Sequence, residues 1–377
     1  MSPKTLKRFT NDIKEYLILR ASGEFVMTQD SAFGTLLYDT RKGHEGWCNP
    51  VCKMVGVNIE HMPTIKKSTE EVGKITEKAA KELGLAEGTA VYGGGGDASL
   101  IGVGAGAVEI GDTHIYSGTS GWVGTVVPEQ IVDAGAMMAA IVGVDPEAYN
   151  YFGELETSNK CVSWVKDHLA LDEIGVFLKK YGNASDSFEQ VEFNLYDYLE
   201  EVIDTIPAGS NGVVFTPWLH GNRCPFEDPN AAGMFFNIRL ETGKTELIRA
   251  VVEGICFHMR WMLERQEQKV SKYKKEDTVR FCGGGALGET TCQILSDILQ
   301  RDVVVVESPQ NIGAVGAAAC IAVGMKLIPT MKDVKKLIPV KTIYHPNKAN
   351  KAVYDRNFQV FKNLYKDNKK NFEILNG

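Results

Sequence analysis

The residues of this chain that could do chemistry stand beside its glycines. Gly93, Gly94, Gly95 and Gly96 follow the short run Thr-Ala-Val-Tyr and lead straight into Asp97. Four glycines turn a chain sharply and leave no side chains in the space ahead of it. An aspartate at the end of a strand projects into the crevice where open α/β folds bind ligands. There a carboxylate can take a proton from a substrate hydroxyl. Asp is also a favoured helix cap, so spacing alone leaves base and cap level.

Two further turns share this grammar. Gly118-Thr119-Ser120-Gly121 offers backbone amides and two hydroxyls suited to phosphate oxygens, although the same residues dominate ordinary turns. Gly283-Gly284-Gly285-Ala286 enters a helical stretch. A flat ring or a phosphate can approach such a backbone, and a helix N-terminus favours anions; the bland alternative is close helix–strand packing. Arg223 and Asp228 flank Pro225 and Pro229, a rigid loop in which the pair is expected to hold the loop to its own domain. His220 is expected to be structural. No Walker A pattern occurs. Gly102-Val103-Gly104-Ala105-Gly106 lacks the spacing and the ribose-binding acid of a dinucleotide site, which argues against a nicotinamide-dependent oxidoreductase.

The elements that must position these residues can be read from periodicity. Residues 5–28 read as a helix and a connector, and 68–83 as a helix entered at a serine. A strand precedes the four glycines and a small-residue helix follows Asp97. The segment THIYSGTSGWVGTVV reads as strand, turn, strand, and residues 136–144 and 213–219 as buried strands. Residues 158–170, 190–204 and 244–268 read as helices, the last with Leu247, Val251, Ile255 and Met262 at helical spacing. VRFCGGGALGETTCQILSDIL repeats the pattern strand, glycine turn, helix; VVVVES is a strand and GAVGAAACIAVG a helix. From Tyr344 the tail reads as a polar helix with Tyr354, Phe358, Phe361 and Tyr365 along one side. Two strand–glycine–helix units predict α/β architecture with related halves and a cleft between them.

Composition narrows the classes. A chain of 377 residues predicts two domains or three. The net charge of −7 argues against a nucleic-acid binder. No apolar run is long enough to cross a membrane, and the first residues lack a secretory core, so a cytoplasmic globular protein is expected. Eight scattered cysteines are expected to be reduced and buried. The 38 glycines exceed a usual share of about 7% and point to backbone brought close to a ligand.

Taken in order, the motifs resemble the FGGY family of carbohydrate kinases, within it the xylulokinase-like branch. The segments are KEYLILRASGEFVMTQDSAFGTLLYD, GGGGDASLIGVGAG, YSGTSG, WLHGNRCPFEDPNAAGMFFNI, RAVVEG, FCGGGALGETTCQILSDIL and GAVGAAACIAVG, seven in register through nearly the whole chain. The resemblance implies an actin-like ATPase (ribonuclease H-like) α/β fold, with two domains around a cleft that holds MgATP and a sugar. It implies that Asp97 is the general base. Gly118, Thr119 and Ser120 would hold phosphates, and Gly283, Gly284, Gly285 and Ala286 would line the adenosine pocket. Asn159, with Ser158, stands beside the nucleotide where the family usually has glycine. The cofactors implied are ATP and Mg²⁺, with no metal ligand assigned to a residue.

Other positions depart from the family pattern. Ala98 stands where Asn or Gln is common, Leu287 and Gly288 where Lys and Ser often follow, and Asn222 where Glu is frequent. No Asp-x-Gly-Thr hairpin occurs in residues 1–96, so the first domain is expected to be N-terminally truncated. The domains expected are residues 1–110 as the remainder of the N-terminal kinase domain, 111–330 as the C-terminal kinase domain and 331–377 as a segment packing back on both. The partners expected are a small sugar and either a second copy of the chain or a separately supplied N-terminal segment, with no nucleic acid and no membrane. The activity expected is ATP-dependent phosphorylation of a sugar hydroxyl, D-xylulose foremost. A catalytically incomplete nucleotide- or sugar-binding fragment, or half of a split kinase, is the alternative.

Overall fold

The computed structural model describes residues 12–145, 147–170, 197, 199–273 and 277–377. Its first hundred residues are made of short pieces. They are α1 (Ile13–Ser22), β1 (Val26–Thr28), α2 (Gln29–Gly34), β2 (Tyr38–Asp39), β3 (Gly46–Trp47), α3 (Asn49–Met54), β4 (Thr64–Lys66), β5 (Glu71–Lys74), α4 (Glu77–Leu83), β6 (Ala90–Tyr92) and α5 (Asp97–Gly104). The strands pair only two by two: β1 with β4 in parallel, β2 with β3 and β5 with β6 antiparallel.

Of residues 5–28, Ile13–Ser22 form a helix followed by a connector, and residues 5–11 lie outside the described residues. One expectation changes here. The stretch 68–83 is a strand and then a helix. Its cap is Thr76, whose hydroxyl accepts from the Ala79 amide at 3.3 Å, while Ser68 donates to Asp30 at 3.2 Å. An acidic turn after a serine imitates a helix entry; the β5–β6 pairing overrides it.

The bulk of the molecule is built on one eight-stranded sheet of order β16-β15-β14-β7-β8-β11-β10-β9. From β7 (Thr113–Ser117), β8 (Gly121–Val127), β9 (Val132–Asp133), β10 (Met138–Val142) and β11 (Tyr149–Leu155), antiparallel neighbours form one side. The Thr113 and Thr125 hydroxyls meet across the β7–β8 pair at 3.0 Å. The chain continues through α6 (Asn159–Val165), a hairpin of β12 (Val214–Thr216) and β13 (Met234–Phe236), and the long helix α7 (Lys244–Val270). Of the helix expected at 190–204, residues 199–204 are helical and those before 197 lie outside the described residues. The parallel side follows: β14 (Thr278–Cys282), α8 (Glu289–Leu299), β15 (Asp302–Val306) and α9 (Ile312–Gly324). The strand β16 (Val340–Tyr344) closes that edge antiparallel, and α10 (Lys351–Asn376) ends the chain. The tail helix therefore begins later than its polar composition predicts, because Val340–Tyr344 completes the sheet.

The two strand–glycine–helix units are not equivalent. The first, β6–α5, leaves a two-stranded sheet, whereas the second, β14–α8, leaves the centre of the large one.

Burial of α7 holds this part together. Val251, Ile255, Met259 and Met262 are buried. From α10, Tyr354, Phe358 and Phe361 enter the same core, while Tyr365 stacks on Phe226 with ring centroids 3.5 Å apart. Arg249 and Glu253 form a buried pair at 2.8 Å, and Tyr354 donates to the same carboxylate at 3.1 Å. Gly209 and Ser210 donate to it as well, so both charges are met where an unpaired one would cost several kcal/mol. All eight cysteines are free, and only Cys48 is not buried. Among the described residues no helix is long and apolar enough to cross a membrane.

Helices α5 and α9 meet backbone to backbone. A methyl group at Gly104 would strike the Ile312 carbonyl oxygen, and one at Gly316 the Leu100 carbonyl oxygen. By contrast, Gly313 has nothing nearer than the Ile101 side chain at 3.7 Å. Gly104→Ala and Gly316→Ala are therefore expected to destabilise the protein by about 1–3 kcal/mol or more. Gly313→Ala should be neutral or stabilising, because alanine is the better helix former. Melting midpoints of the three variants check this, and equal midpoints would remove the crossing as a constraint.

Two buried histidines make stability depend on pH. Burial pulls His114 and His258 down to about 4 from 6.5. The unfolded chain takes their protons first, so stability falls as pH drops from 6.5 towards 4, by roughly 3 kcal/mol each when complete. Glu154, Glu200 and Glu253, pushed up by burial, act in the opposite direction. His258 accepts from Trp218 at 3.2 Å and meets the Cys224 carbonyl at 2.7 Å, contacts an amide can imitate. His258→Gln should thus lose less melting temperature than the native chain between pH 7.5 and pH 5; an equal loss would exclude this histidine as a source.

Candidate functional site

Asp97 is the first residue of α5, and Gly96 is the cap. Its Oδ1 accepts from the Ala98 amide at 2.8 Å, within a first turn that favours an anion. The other carboxylate oxygen has no hydrogen bond among the described residues, and the side chain is exposed. A base needs such an oxygen; a helix cap alone does not.

The turn that presents Asp97 is held by a residue the sequence reading passed over. Asp30, in α2, accepts from the Gly96 amide at 2.6 Å through Oδ2, and from Thr28 at 2.5 Å and Ser68 at 3.2 Å through Oδ1. The Lys14 ammonium donates to Thr28 at 2.7 Å and to Glu15 at 2.5 Å. The glycines admit this arrangement. A methyl at Gly93 would lie 2.7 Å from the Thr28 side chain, and one at Gly95 would strike Val144. Only a polar residue some 66 positions before Gly96 could have signalled the contact.

The second turn joins β7 to β8. The carbonyls of Gly118 and Thr119 accept from the amides of Asn159 and Ser158 at 2.9 and 3.0 Å, which ties the turn to the start of α6. The Gly118 amide donates to the Ser120 carbonyl at 2.9 Å. The amides of Thr119 and Ser120 keep no acceptor among the described residues. Asn159 bonds Ser117 twice, at 2.9 and 3.2 Å.

The third turn follows β14. Gly283 has φ of 89° and donates to the Pro309 carbonyl at 2.9 Å. Side chains at Gly283 and Gly285 would meet Ser117, with carbon positions 2.5 and 2.8 Å from its atoms. Gly284, however, has only Asn159 near it, at 3.7 Å. One cavity of about 870 Å³ is lined by Gly118, Thr119, Asn159, Gly284 and Gly285 together. Asp97, Ser120, Gly283 and Ala286 are not on its wall.

The start of α8 departs from the expected anion site. Glu200 occupies it, accepting from the Thr291 amide at 3.1 Å and its hydroxyl at 2.5 Å. Burial pushes the Glu200 carboxyl up, against these hydrogen bonds. The anion favoured by this helix end is one the protein supplies.

Arg223 does not pair with Asp228. It reaches across to Glu154 at 2.5 Å and Glu156 at 3.0 Å, whereas Asp228 accepts from Tyr365 at 3.2 Å. Burial raises the Glu154 carboxyl, and the charge of Asp97 adds to it. His220 is exposed.

Matches to known proteins follow this geometry. Residues 114–325 match the FGGY family of carbohydrate kinases, C-terminal domain, and residues 6–104 match its N-terminal domain. The chain belongs to the FGGY family of carbohydrate kinases. It is 28% identical to a xylulose kinase of Bacillus subtilis over 93% of this chain, and 24% identical to a gluconokinase of the same organism over 79%. These alignments cover 65% and 55% of the two relatives. The chain thus spans about two thirds of the length of the xylulose kinase. Among solved structures, a ligand-bound xylulose kinase from Lactobacillus acidophilus superposes with a TM-score of 0.80 at 23% identity, over 96% of this chain and 68% of that one. The fold is the α/β actin-like ATPase fold.

A nucleotide fits the cavity on its own terms, since glycines leave its wall open where two turns converge. For Mg²⁺, no group of three or more His, Cys, Asp or Glu side chains among the described residues could hold a metal ion. No protein ligand set is assigned to it.

If Asp30 sets the turn before Asp97, its loss should be visible in exchange. In Asp30→Ala the Gly96 amide should exchange about tenfold faster or more, given what a hydrogen bond to a charged acceptor contributes. Asp30→Asn, which keeps an acceptor, should exchange more slowly than the alanine variant. Hydrogen–deuterium exchange of peptides over residues 93–104 reads this, and unchanged protection in Asp30→Ala would discard the role.

Proposed function

We propose that this chain is a sugar kinase that moves the γ-phosphoryl group of ATP to a hydroxyl of a ketopentose, with D-xylulose the foremost candidate. The observation that carries it is the single cavity in which the Gly118-Thr119 turn and the Gly284-Gly285 turn meet; Asp97, off its wall, opens α5 with an exposed carboxylate. In this reading Gly118, Thr119 and Ser120 receive phosphate oxygens, using the amides left without acceptors. Gly284 and Gly285 face the adenosine from the cavity wall, Gly283 and Ala286 complete the turn behind them, and Asn159 stands beside it. Asp97 takes the proton of the sugar hydroxyl as its oxygen attacks the γ-phosphorus, the bond to the β,γ-bridging oxygen breaks, and ADP leaves. Positioning and electrostatics supply most of the acceleration in such transfers. The metal enters with the nucleotide as MgATP.

The reading includes a division into residues 1–110, 111–330 and 331–377 and a cytoplasmic setting. The substrate branch rests on the xylulose kinase likeness; the gluconokinase likeness makes gluconate the next substrate to try.

Release of ADP from MgATP with D-xylulose, L-ribulose, glycerol or gluconate is the test. Turnover with D-xylulose is expected, and Asp97→Asn should lower it by about 10²-fold or more. Full activity in Asp97→Asn would overturn the base. Silence of the folded chain across the panel would overturn activity of the chain alone and favour a binding fragment that needs a second chain.

A further inference from the structure

Tyr116 is the penultimate residue of β7, two positions before Gly118 of the phosphate turn. Its ring stacks on Trp122 with centroids 4.0 Å apart and planes at 25°. Trp122 is fixed in turn, donating through Nε1 to Nε2 of the buried His114 at 3.1 Å. On its other side the ring fills the space that side chains at Gly118 and Gly283 would need: a methyl at Gly118 would strike the Tyr116 hydroxyl, and one at Gly283 would lie 2.8 Å from Cε2. Three rings in series hold this hydroxyl against Gly118, so it is preorganised rather than free to swing. It makes no hydrogen bond among the described residues, and the side chain is half-buried.

We propose that Tyr116 is a further catalytic residue, whose hydroxyl donates a hydrogen bond to a non-bridging oxygen of the phosphoryl group in transit between the nucleotide and the sugar. This rests on the sugar-kinase reading above. Burial, then the charges of Cys282 and Asp97, push the phenol up, so it stays protonated and can donate. The hydroxyl lies against Gly118, the first residue of the turn assigned to phosphate. As the sugar oxygen bonds to phosphorus and the bridging bond breaks, negative charge spreads over the oxygens of the phosphoryl group. A neutral donor already in place stabilises that charge without reorganising. Tyr116 keeps its proton throughout; the proton of the sugar goes to Asp97.

Tyr116→Phe removes the hydroxyl and keeps the stack. Binding of ADP to the full chain is measured by calorimetry, alone and with aluminium fluoride plus D-xylulose, which imitates the planar phosphoryl group. The native chain should bind ADP more tightly with the mimic. The variant should bind ADP within twofold of native, which also shows it is folded, but lose about 10- to 100-fold of the tightening. The same loss is expected in kcat, with KM for ATP unchanged. A variant that tightens as the native chain does overturns the role of Tyr116 alone. A native chain that fails to bind ADP, or shows no tightening, overturns the kinase reading and this role with it.

Discussion

The placement of Asp97 depends on a contact that has no side chains in it. Gly104 and Gly316 let α5 and α9 touch backbone to backbone, each glycine against a carbonyl of the other helix. Because α9 follows β15 of the large sheet, the contact ties a helix from the fragmentary first hundred residues to the rigid part of the molecule. Interiors packed this closely do not yield by fractions of an ångström without cost. Asp30 fixes the other side of the same helix start through the Gly96 amide. Asp97 is thus held from the sheet side by packing and from the small-strand side by a charged hydrogen bond, while its own carboxylate stays exposed.

The same logic explains what could be read from residue spacing. The strands flanking the two central turns, the long helix and its apolar face were legible because their periodicity is local. The glycine runs were legible as places of close approach, but spacing does not say what approaches. At Gly93 it is Thr28, at Gly95 Val144, at Gly104 a carbonyl of α9, and at Gly283 the Tyr116 ring and Ser117. Only Gly284 in its run faces the cavity with little beside it. Glycine conservation of space serves packing as often as ligands, and the two demands coincide where a turn must lie flat against both.

The misread stretches share a cause. Residues 68–83 carry a serine, acids and a helical tail, yet Glu71–Lys74 pair with β6; Tyr344 looks like the start of the tail helix, yet ends a strand that completes the sheet. In both, a partner distant in sequence outweighs local propensity. Asp30, Glu154 and Glu200 were missed for the same reason, since each acts on a residue 66 or more positions away or on another element altogether.

Charge gives the cavity a direction. Glu200, Glu201, Asp197, Asp204 and Glu289 all lie on its wall, towards the start of α8. Glu200 already occupies the amide end of that helix, so the one feature there that attracts anions is satisfied. Like charges repel, so such a group of carboxylates disfavours a triphosphate beside it, whereas ribose hydroxyls and the amino group of a base could donate to it. Among the described residues, the Gly118 turn has no acidic hydrogen-bond partner, and the amides of Thr119 and Ser120 have no acceptor. On the proposed reading, a nucleotide in this cavity would be oriented by repulsion as much as by contact: base towards Glu200, phosphates towards Gly118. The hydroxyl of Tyr116, held against Gly118, lies at that end, so on the same reading the acidic wall would contribute by excluding the opposite pose.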